Sequence, residues 1–227
     1  MIQKWAVATA VTAVTVLGAL AAPASAISLA DLENDGGTLE TTDKIFSDFT
    51  CLISSDPTTN TPTSCEDVEV SLLANGLKFE SDFFAAEGAS SFIDVLIQYT
   101  VMAKPGTSPF NSIGLAFDGE VTNPDGFASI TETVVDANDV NKFLGSLTVT
   151  APDDLSDPGF ELNQDVPLSE SVTKALVTKD IFLTDGARIS MITQTYQVPE
   201  PGTIAGLVGL GSLGIGSILK RQRQKDS

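Results

Sequence analysis

Residues 92–101 read Phe92-Ile93-Asp94-Val95-Leu96-Ile97-Gln98-Tyr99-Thr100-Val101, and this stretch decides the fold. Ile93, Val95, Ile97, Tyr99 and Val101 fall on one face. Asp94, Gln98 and Thr100 fall on the other, with Phe92 and Leu96 among them. Alternation of period 2 marks a strand with one face in a core and the other partly wet. Ile113, Leu115 and Phe117 repeat the pattern, as do Phe143, Leu147 and Val149.

Three dipeptides predict tight hairpins, because glycine accepts the positive φ such turns need and Asn or Asp tolerates it next best. Asn75-Gly76 separates 68–73 from 77–84. Asp118-Gly119 follows 113–117. Asp185-Gly186 separates 172–183 from 188–196. Short runs of Val, Ile, Thr and Phe between such turns predict nine or ten antiparallel strands. No amphipathic run of helical period exceeds about two turns, apart from a short helix expected over 27–33. The pattern predicts an all-β fold, a single antiparallel β-sandwich.

Both ends of the 227-residue chain read as targeting devices and fall outside that domain. Lys4 precedes an apolar run from Ala6 to Ala22. Pro23 breaks the run, and Ala24-Ser25-Ala26 supplies the small residues of a signal-peptidase site. Residues 1–26 are thus expected to be a signal peptide removed on export, leaving 27–198 as the ectodomain. At the other end stands Pro199-Glu200-Pro201, then an uncharged stretch from Thr203 to Leu219, then Lys220, Arg221, Arg223 and Lys225. Seventeen residues of helix rise about 25 Å, enough for a transmembrane helix at 203–219. The basic cluster is expected to remain cytoplasmic.

The Pro-Glu-Pro tripeptide, the glycine-rich apolar segment and the basic end, in that order over 198–225, resemble the PEP-CTERM sorting tail of exported Gram-negative proteins. The resemblance implies recognition by an exosortase, transient residence in the inner membrane, and a cell-surface or extracellular destination among exopolysaccharide and biofilm matrix. Gly36-Gly37-Thr38, residues 43–49, Tyr99-Thr100-Val101 and Thr178-Lys179-Asp180-Ile181 resemble stretches of other PEP-CTERM ectodomains, which carry no activity to transfer. Gly209-Leu210-Gly211-Ser212-Leu213-Gly214 matches a dinucleotide-binding pattern, but only 13 residues follow it, with no room for the βαβ unit that pattern requires.

The domain holds 28 Asp and Glu against 7 Lys and Arg over 27–198, a net charge of −21. Such a surface repels phosphate backbones, so no nucleic-acid partner is expected. The absence of histidine removes the commonest general base and transition-metal ligand. Cys51 and Cys65, exported to oxidising surroundings, are expected to form a disulfide. Two acidic groupings invite comparison with calcium loops. Asp31-x-Glu33-x-Asp35-Gly36 lacks the carboxylate at the twelfth position, where Thr42 stands. Asp153, Asp154 and Asp157 lie between Pro152 and Pro158 and read as a solvated acidic loop. No catalytic residue, cofactor or metal site is assigned. The expected function is structural, within the matrix. The alternatives are a carbohydrate-binding module, which the lack of Trp in the domain disfavours, and a calcium-dependent adhesion domain.

Overall fold

The computed structural model describes residues 26–56, 60–88, 90–151 and 160–199. They form two six-stranded sheets whose paired strands all run antiparallel. In chain order the elements are β1 (Ile27–Ser28), α1 (Leu29–Asn34), β2 (Leu39–Glu40), β3 (Lys44–Asp56), β4 (Glu69–Leu73), β5 (Gly76–Phe84), β6 (Phe92–Ala103), β7 (Phe110–Val121), β8 (Phe127–Asp136), β9 (Asp139–Thr150), β10 (Phe160–Val172), β11 (Lys174–Thr184) and β12 (Ala187–Gln197). The first sheet is ordered β1-β4-β5-β12-β7-β10 and the second β2-β3-β6-β11-β8-β9. The twelve strands include two of only two residues, so the expected count of nine or ten was close. The short helix is α1, capped by the Ser28 side chain, which accepts from the Asp31 amide at 3.0 Å.

The inward rows of the two sheets meet in one core. Ile93, Val95, Ile97, Tyr99 and Val101 are all fully buried, as are Ile113 and Leu115, with Phe117 1% exposed. The alternation that predicted them therefore reports burial directly. Aromatic rings stitch the sheets together at the centre. Phe46 of β3 lies 5.8 Å from Tyr196 of β12, and Phe79 of β5 lies 5.9 Å from Tyr99 of β6. The two tyrosine hydroxyls share a hydrogen bond of 2.6 Å across the gap. Each buried ring contributes roughly 1.5–3 kcal/mol by leaving water. A bulge at Asp48, with φ of 55°, turns both Phe46 and Phe49 inward.

Five expectations are corrected. Asp118-Gly119 is not a turn, because β7 runs straight through it to Val121. A Cβ on Gly119 would sit 2.3 Å from the Arg188 carbonyl, beside the irregularity where β12 fits an extra residue between Ile189 and Met191. The glycine answers a close backbone approach, and the chain reverses later, around Asn123 to Gly126. Asn75-Gly76 does mark a hairpin, but the turn residues are Ala74 and Asn75. Gly76 already pairs with Leu73, and a Cβ there would lie 1.7 Å from the Gln194 carbonyl.

Asp185-Gly186 is a tight turn with both φ values positive, 40° and 79°, yet the strands it joins do not pair. It carries the chain from β11 in one sheet to β12 in the other. Its amides bond to the Ser91 and Ala85 carbonyls instead of across a hairpin. The run 172–183 likewise divides at Thr173, where the chain crosses from β10 to β11. Phe143, expected inward with Leu147 and Val149, is 59% exposed, and Leu144 is buried in its place. A bulge shifts the register between Val134 and Val135 and resets the alternation.

Candidate functional site

The most unusual chemistry in the domain lies inside it. Along β11 the inward row is Ala175, Val177, Lys179, Ile181 and Leu183, so alternation places a lysine among aliphatic side chains. Register sets Lys179 opposite Glu132 of β8, itself between the buried Ile130 and Val134. From the other sheet, Gln194 of β12 projects between the buried Ile192 and Tyr196. All three are fully buried.

They close a triangle. Lys179 Nζ donates to Glu132 Oε2 at 2.5 Å and to Gln194 Oε1 at 2.8 Å, and Gln194 Nε2 donates to Glu132 Oε1 at 2.8 Å. Among the described residues no buried side-chain N or O lacks a partner. Burial pushes the Glu132 carboxyl above its ordinary range, against the pull of Lys179. Burial likewise holds the Lys179 ammonium below its ordinary value, against the pull of Glu132. The two groups are thus drawn toward sharing one proton. Tyr99 and Tyr196, nearby, are both raised well above 10.0, chiefly by burial. The sequence carried a signal for this cluster: a charged or amide residue in the apolar row of three strands, where burial demands a partner.

A second feature is on the surface. A recess of about 600 Å³ is lined by Ser90, Ser91, Phe92, Asp125, Phe182, Thr184 and Asp185. Phe92 and Phe182 stack with centroids 6.5 Å apart on the outer face of the second sheet. Asp185 Oδ1 accepts from the Gly88 amide at 2.7 Å and from Asn123 Nδ2 at 2.9 Å, which fixes the rim loops. Beneath them the fully buried Asn60 accepts from the Ala86 amide and Ser91 Oγ, and donates to the carbonyls of Asp56 and Phe92. The recess thus offers an aromatic floor, hydroxyls and a carboxylate held by hydrogen bonds.

The expected site residues fall as follows. Cys51 and Cys65 are joined in a disulfide, Cα atoms 6.1 Å apart, tying β3 to the 3-10 turn Cys65–Asp67. Asp31 and Glu33 lie on α1 and Asp35 caps its end, so this segment is a helix and not a calcium loop. Among the described residues no three or more carboxylates or cysteines converge as metal ligands. Ala26 and Pro199 are described. Ala24, the loop Asp153, Asp154 and Asp157, the pair Glu200 and Pro201, the helix expected at 203–219, and Lys220, Arg221, Arg223 and Lys225 lie outside the described residues. The last strand, β12, ends at Gln197, whose Nε2 donates to Asp165 Oδ1 at 3.2 Å.

Among solved structures, the chain is similar to TmCBM61 in complex with β-1,4-galactotriose, at 12% identity and TM-score 0.33 over 65% of this chain and 88% of that one. It is similar to the xylan-binding module CBM15, at 12% identity and TM-score 0.28 over 66% and 99%. It is also similar to the enzymatically active domain of bacteriophage CBA120 tailspike protein 4, at 9% identity and TM-score 0.34 over 66% and 19%. Likenesses at this level carry no argument about function. No curated protein matches the chain in sequence. Residues 197–223, from the last residue of β12 through Pro199-Glu200-Pro201 to Arg223, match the PEP-CTERM protein-sorting motif.

Proposed function

We propose that the chain is carried across the inner membrane, held there by its tail, cut by an exosortase near Pro199-Glu200-Pro201, and delivered as a non-catalytic domain of the cell surface or exopolysaccharide matrix. One observation carries this reading: the sorting motif begins on the last residue of β12. Only Val198 separates the strand from Pro199, a reach of about 3.5 Å. An uncut domain would sit against the bilayer with a charge of −21 facing anionic lipid heads, an unfavourable resting place. Anchoring is therefore a stage of sorting, and cutting completes export.

Replacing Pro199-Glu200-Pro201 by three alanines in the host is expected to trap the domain in the membrane fraction, still translocated. Wild-type protein found wholly in membranes, with its Lys220–Lys225 end intact by mass spectrometry, would overturn the proposal.

The recess supports a second reading, binding of a sugar chain within that matrix. Phe92 and Phe182 present an apolar floor to a sugar ring, and Ser90, Asp125 and Thr184 offer partners for its hydroxyls. Binding of the purified exported protein to a glycan array, lost in Phe182→Ala, is expected. A blank array, or binding unchanged by Phe182→Ala, removes this reading and leaves the sorting proposal intact.

A further inference from the structure

We propose that Lys179 and Gln194 form an intramolecular isopeptide bond that joins the two sheets, with Glu132 carrying the protons. The inference is independent of how the tail is processed.

Amide exchange between a lysine and a glutamine needs an amine free of its extra proton, a carboxamide carbon within reach, and a group able to deliver a proton to the departing nitrogen. The triangle supplies all three. The Lys179 nitrogen lies 2.8 Å from the Gln194 carbonyl oxygen, one bond away from the amide carbon. Glu132 spans the nucleophile and the leaving group, with one oxygen 2.5 Å from Nζ and the other 2.8 Å from Nε2, the nitrogen that departs. Burial favours the neutral amine and the neutral acid over the ion pair. The site is fully buried, so water does not compete for the carboxamide. The partners are held by strands of opposing sheets, and that fixed approach is the main source of rate in such reactions.

The step balances. Glu132 takes a proton from the Lys179 ammonium, and the amine lone pair attacks Gln194 Cδ. Glu132 then passes its proton to Nε2 and takes one from the attacking nitrogen. The Cδ–Nε2 bond breaks and ammonia leaves. The products are a Lys179–Gln194 amide, a protonated Glu132 beside it, and free ammonia. No oxidant or cofactor is consumed. A buried ion pair has become two neutral groups, which removes the desolvation cost that opposed it.

The bond would lock β12, the strand next to the sorting tail, into the opposite sheet through β11. A domain pulled through its tail during membrane sorting would meet a covalent connection within four residues of Val198.

The test is mass spectrometry of the exported wild-type protein, denatured and fully reduced. The chain is expected to be lighter by one ammonia. Its tryptic map is expected to lack cleavage after Lys179 and to contain a branched peptide joining 175–188 to the peptide that begins at Ile189. Glu132→Gln and Lys179→Arg are expected to yield linear peptides of full mass. The wild-type measurement stands even if a variant fails to fold. A wild-type digest with linear peptides ending at Lys179, and an unmodified Gln194 peptide, overturns the proposal. A cross-link that persists in Glu132→Gln overturns the role given to Glu132.

Discussion

Lys179 and Asp180 are neighbours on β11 and face opposite ways. Lys179 points into the sandwich, fully buried, and its Nζ meets a carboxyl group and an amide. Asp180 points to solvent on the outer face, where the charge facing it is another carboxylate, Asp94 of β6. Among the described residues, every buried side-chain N and O has a partner, because an unpaired group there costs several kcal/mol. The exterior tolerates like charges side by side, because water and salt screen them. A net charge of −21 is compatible with a stable fold for this reason: among the described residues, Glu132 and Asp185 are the carboxylates that are buried, and the others keep contact with water.

The widest gap between the two faces is expected from Lys179→Ala and Asp180→Ala. The first leaves Glu132 and Gln194 buried without the side chain that joins them and opens a cavity, and is expected to cost about 3–5 kcal/mol. The second removes an exposed charge and is expected to change stability by less than about 0.5 kcal/mol. Chemical denaturation of both variants makes the measurement. Equal costs would show that the interior triangle is dispensable.

A smaller effect is expected at the periphery, where the second sheet is held by a covalent staple. Cys51→Ala, which opens a loop of 15 residues between β3 and the Cys65–Asp67 turn, is expected to cost about 3 kcal/mol or less in the loop-closure account. A cost exceeding that of Lys179→Ala would place the keystone of the fold at its edge and not at its centre.

The same contrast explains what was legible in the sequence. Rows that repeat Ile, Val and Leu at every second position declared their burial: β6 was read residue by residue from Phe92 to Val101, and β7 through Ile113, Leu115 and Phe117. The two Asp-Gly pairs show where the reading stopped. Asp185-Gly186 and Asp118-Gly119 are identical locally, yet one reverses the chain and the other lies within a strand. The difference is the Arg188 carbonyl pressed against Gly119, a contact between strands far apart in sequence. Phe143 failed for a related reason, since one bulge residue inverts every face beyond it. Lys179, Glu132 and Gln194 stood in apolar rows and were overlooked, because any one alone reads as a solvated side chain. Their convergence depends on which strands are neighbours and which sheets face, and periodicity carries neither.

On the outer face, Phe182→Ala removes one ring of the Phe92–Phe182 stack and is expected to cost about 1 kcal/mol, the worth of an aromatic pair at a half-exposed site. Thermal unfolding measures it. A cost approaching that of Lys179→Ala would mean that this face is part of the core and not a surface open to ligands.

The smallest effect, and the one with a definite sign, belongs to Asp94. Partial burial first, and the neighbouring Asp180 second, raise its carboxyl above the ordinary 3.8. The folded domain therefore holds that proton more tightly than the unfolded chain does. The stability this group contributes is fully present below 3.8 and is lost as pH rises through the raised value. At neutral pH the wild type carries the repulsion, and Asp94→Asn does not. Asp94→Asn is thus expected to be the more stable protein at neutral pH, by a few tenths of a kcal/mol, since solvent screens the pair. The advantage is expected to vanish as the solution is acidified and Asp94 takes up its proton. Paired denaturation curves from acid to neutral pH provide the check. A wild type that gains on Asp94→Asn as pH rises would mean that Asp94 is stabilised as an anion, and that the outer face, like the inner one, pairs its charges.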